Sequence, residues 1–184
     1  MASVLVPLAQ GCEELEAVTV IDLLRRAGIT VDSAGLDGQP VRASRGTVLI
    51  PDITLDEALT RDYDMIVLPG GLPGADHLKD DARIIDLVTR MASQDKYTAA
   101  ICAAPRVLAK AGLLQGRRAT SFPGALDVAA IHGIDYSDQP VVRDGTVITS
   151  RGPGTAMDFA LELIEILVGR QQRDMVESAL QRPG

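Results

Sequence analysis

The sequence predicts an α/β fold in which a mostly parallel sheet is covered by helices on both faces. Short, continuously apolar runs (SVLVPLA, MIVLPGG, YTAAI) alternate with helical patterns along most of the 184 residues. Strands that are apolar on both sides belong to parallel sheets buried from both directions. Three informative stretches, QGCEELE, PGGLPGA and CAAP, each follow one of these runs. That places them at strand carboxyl ends, where open α/β sheets bind ligands.

Taken in order, SVLVPLA is the first strand. In the helix that follows it, Ala17, Val20, Leu24 and Ala27 fall on one face, and Gly28 closes the element. ITVDSAG (29–35) and TVLIPD (47–52) read as further strands, and a short polar helix surrounds Leu55 to Leu59. MIVLPGG (65–71) is a buried strand running into two glycines, and DDARIIDLVTRMAS (80–93) is an amphipathic helix. YTAAI (97–101) is the next strand, with PRVLAKAG (105–112) as its helix. After Arg118 the pattern is irregular until VITSRGPGT. A last helix, AMDFALELIEILVG, turns Ala156, Phe159, Leu163 and Ile166 inward and Asp158, Glu162 and Glu165 outward. No repeat, low-complexity tract or linker divides the chain, so residues 1–184 read as one domain.

Composition narrows the setting. The chain is 46% hydrophobic and 23% charged, and no apolar run approaches the roughly 20 residues of a membrane span. The start, MASVLVPLAQG, lacks a basic segment before its short apolar run, so it reads as a strand and not a signal peptide, and a cytoplasmic location is expected. A net charge of −7, with basic residues only in pairs such as Arg25-Arg26 and Arg117-Arg118, argues against a nucleic-acid partner. PGG matches no Walker or dinucleotide fingerprint, so no nucleotide cofactor is inferred, and no metal set is assigned. Cys12 and Cys102 are expected to be thiols.

The chemistry concentrates in three stretches. Cys102 lies between a buried strand and a helix starting near Pro105, at the positive end of a helix dipole that favours a thiolate. Its small neighbours Ala100, Ala103 and Ala104 suit a sharp strand-turn-helix elbow that exposes a nucleophile. The other reading is a buried, inert thiol. Gly70 and Gly71 let the backbone approach a ligand, so the amides of Gly71 and Ala103 can serve a developing oxyanion; the alternative is an ordinary turn. Glu13, Glu14 and Glu16 open the first helix, where carboxylates also simply complement the dipole. Glu16 precedes Val20, Leu23 and Ala27 on an apolar flank that would favour its protonated form. Glu13 lies on a similar stripe, and spacing alone does not separate the two.

GCEELEAVTVIDLLRRAGI, SRG (44–46), VLPGGLPGA, AAICAAP and TSRGPGTAMDFAL together resemble the ThiJ/PfpI superfamily, in the branch of the Parkinson-disease-associated protein and bacterial YajL. The resemblance spans residues 3 to 169, with the motifs in family order. It implies a flavodoxin-like three-layer sandwich, a homodimer, Cys102 as the reactive elbow cysteine and Glu16 as its protonated partner. It further implies oxyanion-hole amides from Gly71 and Ala103, and pocket or dimer-mate contacts from Arg45, Gly70 and Pro153, with Arg45 matching an arginine that the family brings from the partner subunit. The chain departs from many family members in carrying Ala103 where they have histidine after the cysteine. It also carries Phe122 where the Parkinson-associated protein has a histidine. A Cys-His protease is therefore not expected, and His77 and His132 fall on no motif. The implied activity is detoxification of reactive dicarbonyls, or repair of glycated amines and thiols, through a Cys102 hemithioacetal with Glu16 moving protons. The alternative is a redox-responsive chaperone for unfolded clients, or a stress sensor, in which oxidation of Cys102 to a sulfinic acid is the signal.

Overall fold

The apolar runs of the sequence lie side by side in the middle of a seven-stranded sheet. A computed structural model describes residues 1–182. Its elements run β1 (Ser3–Leu8), α1 (Glu14–Arg26), β2 (Thr30–Gly35), β3 (Val41–Arg42), β4 (Val48–Leu49), β5 (Ile53–Thr54), α2 (Leu55–Ala58), β6 (Met65–Leu68), α3 (Gly74–Asp80) and α4 (Ala82–Ser93). They continue with β7 (Tyr97–Ile101), α5 (Pro105–Lys110), β8 (Arg118–Ala119), β9 (Asp135–Tyr136), β10 (Val141–Asp144), β11 (Val147–Ser150), α6 (Ala156–Val168) and α7 (Arg170–Ala179). The sheet order is β10-β11-β7-β6-β1-β2-β5, parallel throughout except for the β10–β11 pair.

Alternation along the strands divides the core in two. Val4, Val6, Met65, Val67, Ala99 and Ile101 pack against α1 and α6, where Val20, Leu24, Phe159 and Leu163 are buried. Leu5, Ile66, Leu68 and Ala100 face the other way, against Ile84, Leu87 and Val88 of α4 and Val107 and Leu108 of α5. This is the period-2 signature of strands buried on both faces. No helix among the described residues is long and apolar enough to cross a membrane.

Three elements differ from the sequence reading. TVLIPD is not a sheet strand: Val48–Leu49 pairs with Val41–Arg42 as a separate antiparallel hairpin, and Ile50 is 83% exposed. Pro51 has no N–H to give a ladder, so pairing with β2 resumes only at β5. The helix expected over 80–93 is α4, which begins at Ala82 because Asp81 leaves the helical conformation and caps it by accepting from the Arg83 N–H at 2.9 Å, and a separate helix not read from the sequence, α3, precedes it. Beyond the last helix read from the sequence, Arg170–Ala179 forms a further helix, α7.

These connections fix where a ligand can sit. β1 leads to β2 on one side, while β6 and β7 follow on its other side, so the winding reverses between β1 and β6. The loops after β1, β6 and β7 meet above that point.

Candidate functional site

The loop after β7 carries Cys102, the candidate nucleophile. Cys102 has φ +63, a left-handed conformation that costs a non-glycine residue about 1–2 kcal/mol. Flanking structure holds it there: its N–H donates to the Ser150 carbonyl of β11 and its own carbonyl accepts from the Phe122 N–H, both at 2.9 Å. The side chain is 9% exposed and lines a cavity of about 440 Å³ with Glu13, Arg45, Gly71, Ala103, Phe122 and Pro153 among its walls.

Glu16, in the first turn of α1, is fully buried beside it. Its Oε2 accepts from the Gly70 N–H at 2.8 Å, while its Oε1 is buried with no hydrogen-bond partner among the described residues, and the Cys102 side chain lies near enough to act on its charge. Gly70 has to be glycine: a Cβ there would lie 2.6 Å from the Cys102 Cβ and 2.8 Å from Glu16 Oε2. Gly71, at φ +84, has the Glu13 nitrogen 2.4 Å from where its Cβ would be. Without those Cβ atoms the loop packs closely enough that the Gly71 and Ala103 amides favour the ionised sulfur.

The charge balance differs from what the helix start alone suggests. Burial, followed by the neighbouring Glu16 charge, pushes the Cys102 thiol up to about 12, against the opposing pull of the Gly71 and Ala103 amides. α5 is six residues long, so its dipole is small, and desolvation outweighs it. Burial raises Glu16 to about 7. The two groups therefore titrate as a pair that holds one proton between them above neutrality. A thiolate in this pair is one whose partner Glu16 has kept the proton, since the carboxylate charge is what opposes it.

Cys12 is also pushed up to about 12, by burial and then by Glu14. It has no exposed surface, and both cysteines are free. Alkylation with one equivalent of iodoacetamide near pH 8 is expected to modify Cys102 well before Cys12, because only Cys102 lines the cavity. Peptide mapping that found equal labelling would refute this.

The acidic turn divides its labour. Glu13 reaches the cavity wall and accepts from Ser44 Oγ at 2.8 Å. Glu14 accepts from the Arg45 N–H at 3.1 Å and the Thr47 N–H at 3.3 Å, fastening the β3–β4 hairpin. Glu14 falls to about 2: partial burial opposes ionisation, but backbone N–H groups, including those of Arg45 and Thr47, outweigh it. Arg45 lines the cavity of its own chain. Neither His77 nor His132 lines this cavity. Ser44, Arg106 and Ala125 line it without having been singled out in the sequence. For Arg106 a signal existed, in its place four residues after Cys102 at the start of α5.

The pattern of the DJ-1/PfpI family matches residues 2–166. The chain belongs to the DJ-1/PfpI family. It is 43% identical over 180 residues to protein dj-1beta of Drosophila melanogaster, covering 97% of this chain and 96% of that protein. It is 35% identical over 171 residues to glutathione-independent glyoxalase DJR-1.2 of Caenorhabditis elegans, covering 93% and 90%. The crystal structure of Drosophila DJ-1beta superposes with a TM-score of 0.94 at 42% identity, covering 100% of this chain and 99% of that one. The DJ-1/PfpI flavodoxin-like sandwich is thus the fold of this chain. Cys102 shares its cavity with a half-exposed Phe122.

Proposed function

We propose that the protein is a cysteine-dependent enzyme of carbonyl and oxidative stress defence that converts α-oxoaldehydes such as methylglyoxal to 2-hydroxy acids. The observation that carries this reading is Cys102 at the wall of a cavity that Gly71 and Ala103 also line, with the buried Glu16 carboxyl next to it raised to about 7. DJ-1/PfpI membership supports it, as does the relative named as a glutathione-independent glyoxalase.

The Cys102 sulfur adds to the aldehyde carbon, forming a C–S bond. The resulting alkoxide is held by the Gly71 and Ala103 amides and takes the Glu16 proton, giving a hemithioacetal. Glu16, now a carboxylate, removes the hydrogen on that carbon as a proton, and the electron pair passes through an enediol towards the neighbouring ketone. Returning the proton to the former ketone carbon leaves a thioester of the 2-hydroxy acid, which water cleaves to release product and the Cys102 thiol. One water is consumed and no outside oxidant is needed, because one carbon is oxidised as its neighbour is reduced. The same pair can release an amine or thiol from an early glycation adduct. We include a homodimer in the proposal: the exposed Leu15 and Val18 of α1 and Val48 and Ile50 near the hairpin offer apolar surface that a second copy would cover.

The test is lactate formation from methylglyoxal by the purified protein, alongside suppression of aggregation of an unfolded client. Lactate above the level of a Cys102→Ser variant is expected. Client protection without lactate would replace the enzyme by the redox-responsive chaperone.

A further inference from the structure

The cavity holds a cation that the proposed chemistry does not use. Arg106, in the first turn of α5, lines the same chamber as Cys102. Its Nη1 donates to Asp76 Oδ1 at 2.7 Å, and its Nη2 reaches the Ala125 carbonyl only at 3.4 Å. Its Nε is buried and has no hydrogen-bond partner among the described residues. A guanidinium offers five donors in a planar fork suited to a carboxylate, so this one keeps unused donor capacity beside the nucleophile. The side chain is 24% exposed and lines the cavity, so a guest there meets the outer edge of the guanidinium, where only the Nη1 bond to Asp76 is short.

Other charges at the chamber do not cancel this. Asp76 is shared between Arg106 and Lys79, whose Nζ lies 3.1 Å from Asp76 Oδ1. Glu13 is engaged by the Ser44 hydroxyl, and Arg45 adds a second cation to the wall. The substrate would enter with its aldehyde at Cys102 and its far end towards α5.

We propose that Arg106 is a specificity-determining residue that directs the site towards carbonyl compounds carrying a carboxylate at the end remote from the aldehyde. This rests on the dicarbonyl reading above. The reaction is unchanged: a carboxylate-bearing α-oxoaldehyde such as 4,5-dioxopentanoate takes up one water and yields 2-hydroxyglutarate, with loss of one proton from the new acid. The guanidinium holds the remote carboxylate through charge-assisted hydrogen bonds, a kind of contact that raises affinity on the order of tenfold to a hundredfold.

The test measures kcat/KM for 4,5-dioxopentanoate and for methylglyoxal, and calorimetric binding of 2-hydroxyglutarate, in the wild type, Arg106→Met and Asp76→Asn. The wild type is expected to prefer the anionic substrate. In Arg106→Met the ratio of the two kcat/KM values should fall at least tenfold, mainly through KM, and 2-hydroxyglutarate should bind at least tenfold more weakly. Asp76→Asn breaks the same tie between α3 and α5 but keeps the guanidinium, so it should lose thermal stability and keep the preference. Equal loss of preference in both variants, or binding of 2-hydroxyglutarate that ignores Arg106, would overturn the proposal and leave Arg106 as a brace. If neither dicarbonyl turns over while 2-hydroxyglutarate still binds through Arg106, the anion subsite stands and the dicarbonyl reaction falls.

Discussion

Glu16→Gln is expected to lower dicarbonyl turnover by on the order of 10²–10⁴-fold, the usual contribution of a positioned general acid–base group. Glutamine can still accept from the Gly70 N–H, which the native carboxyl does at 2.8 Å. It cannot take or return a proton. Glu13→Ala and Glu14→Ala should retain most of the activity, because the carboxyl beside Cys102 is that of Glu16. Comparable losses in all three would reduce the acidic turn to a structural role. The same variant reports on stability. Glu16 is more readily protonated folded, at about 7, than at its ordinary 4.5. Its contribution is therefore fully present below pH 4.5 and is lost as pH rises through 7. At about 1.4 kcal/mol per pH unit this amounts to about 3 kcal/mol. Thermal unfolding of the wild type should fall across that window, and Glu16→Gln, neutral throughout, should lack this decline.

Replacing Cys102 should abolish turnover altogether, and two replacements separate chemistry from backbone strain. Alanine keeps a Cβ at φ +63, whereas glycine adopts that conformation without penalty. Cys102→Gly is therefore expected to be about 1 kcal/mol more stable than Cys102→Ala by denaturant unfolding, despite having the smaller side chain. The elbow would then be a place where the nucleophile is kept at the expense of stability. An alanine variant as stable as the glycine one would show that the left-handed turn stores no strain.

The central strands were legible because burial on both faces leaves only one pattern, unbroken apolar residues, as in MIVL and YTAAI. The amphipathic face of α1 was legible for a related reason: Ala17, Val20, Leu24 and Ala27 have no other way to be buried together. TVLIPD misled because β-propensity describes side chains, while membership of a sheet depends on backbone donors that Pro51 lacks. At the site, Cys102 and the two glycines announced themselves by local pattern. Spacing alone did not set Glu16 apart from Glu13, since helical periodicity gives a face and not what lies against it; in the sequence only the family resemblance did so, and the structure adds Gly70 and Cys102 beside Glu16. The direction of the Cys102 shift was misread from sequence for the same reason: the desolvation that dominates it is set by distant strands. Ser44 reaches the cavity from the β3–β4 hairpin, a convergence with the Cys102 loop that no one-dimensional pattern encodes, whereas Arg106 had a local signal in its place four residues after Cys102.

The close approach of the first two loops governs how this site can breathe. A Cβ at Gly11 would meet Pro73 at 2.4 Å, and one at Gly74 would meet the Cys12 nitrogen at 2.5 Å, while the Glu13 N–H donates to the Gly70 carbonyl at 2.9 Å. Apart from the rigid Pro73 ring, main chain rests on main chain here, so these contacts offer no side-chain rotamers to cushion relative movement. The start of α1, which carries Glu16, and the turn that carries the Gly71 amide must travel as a single jaw. A bulky guest therefore has to make room at the opposite rim, by displacing Phe122, Pro123 and Pro153, and the proton relay keeps its alignment whatever the size of the guest.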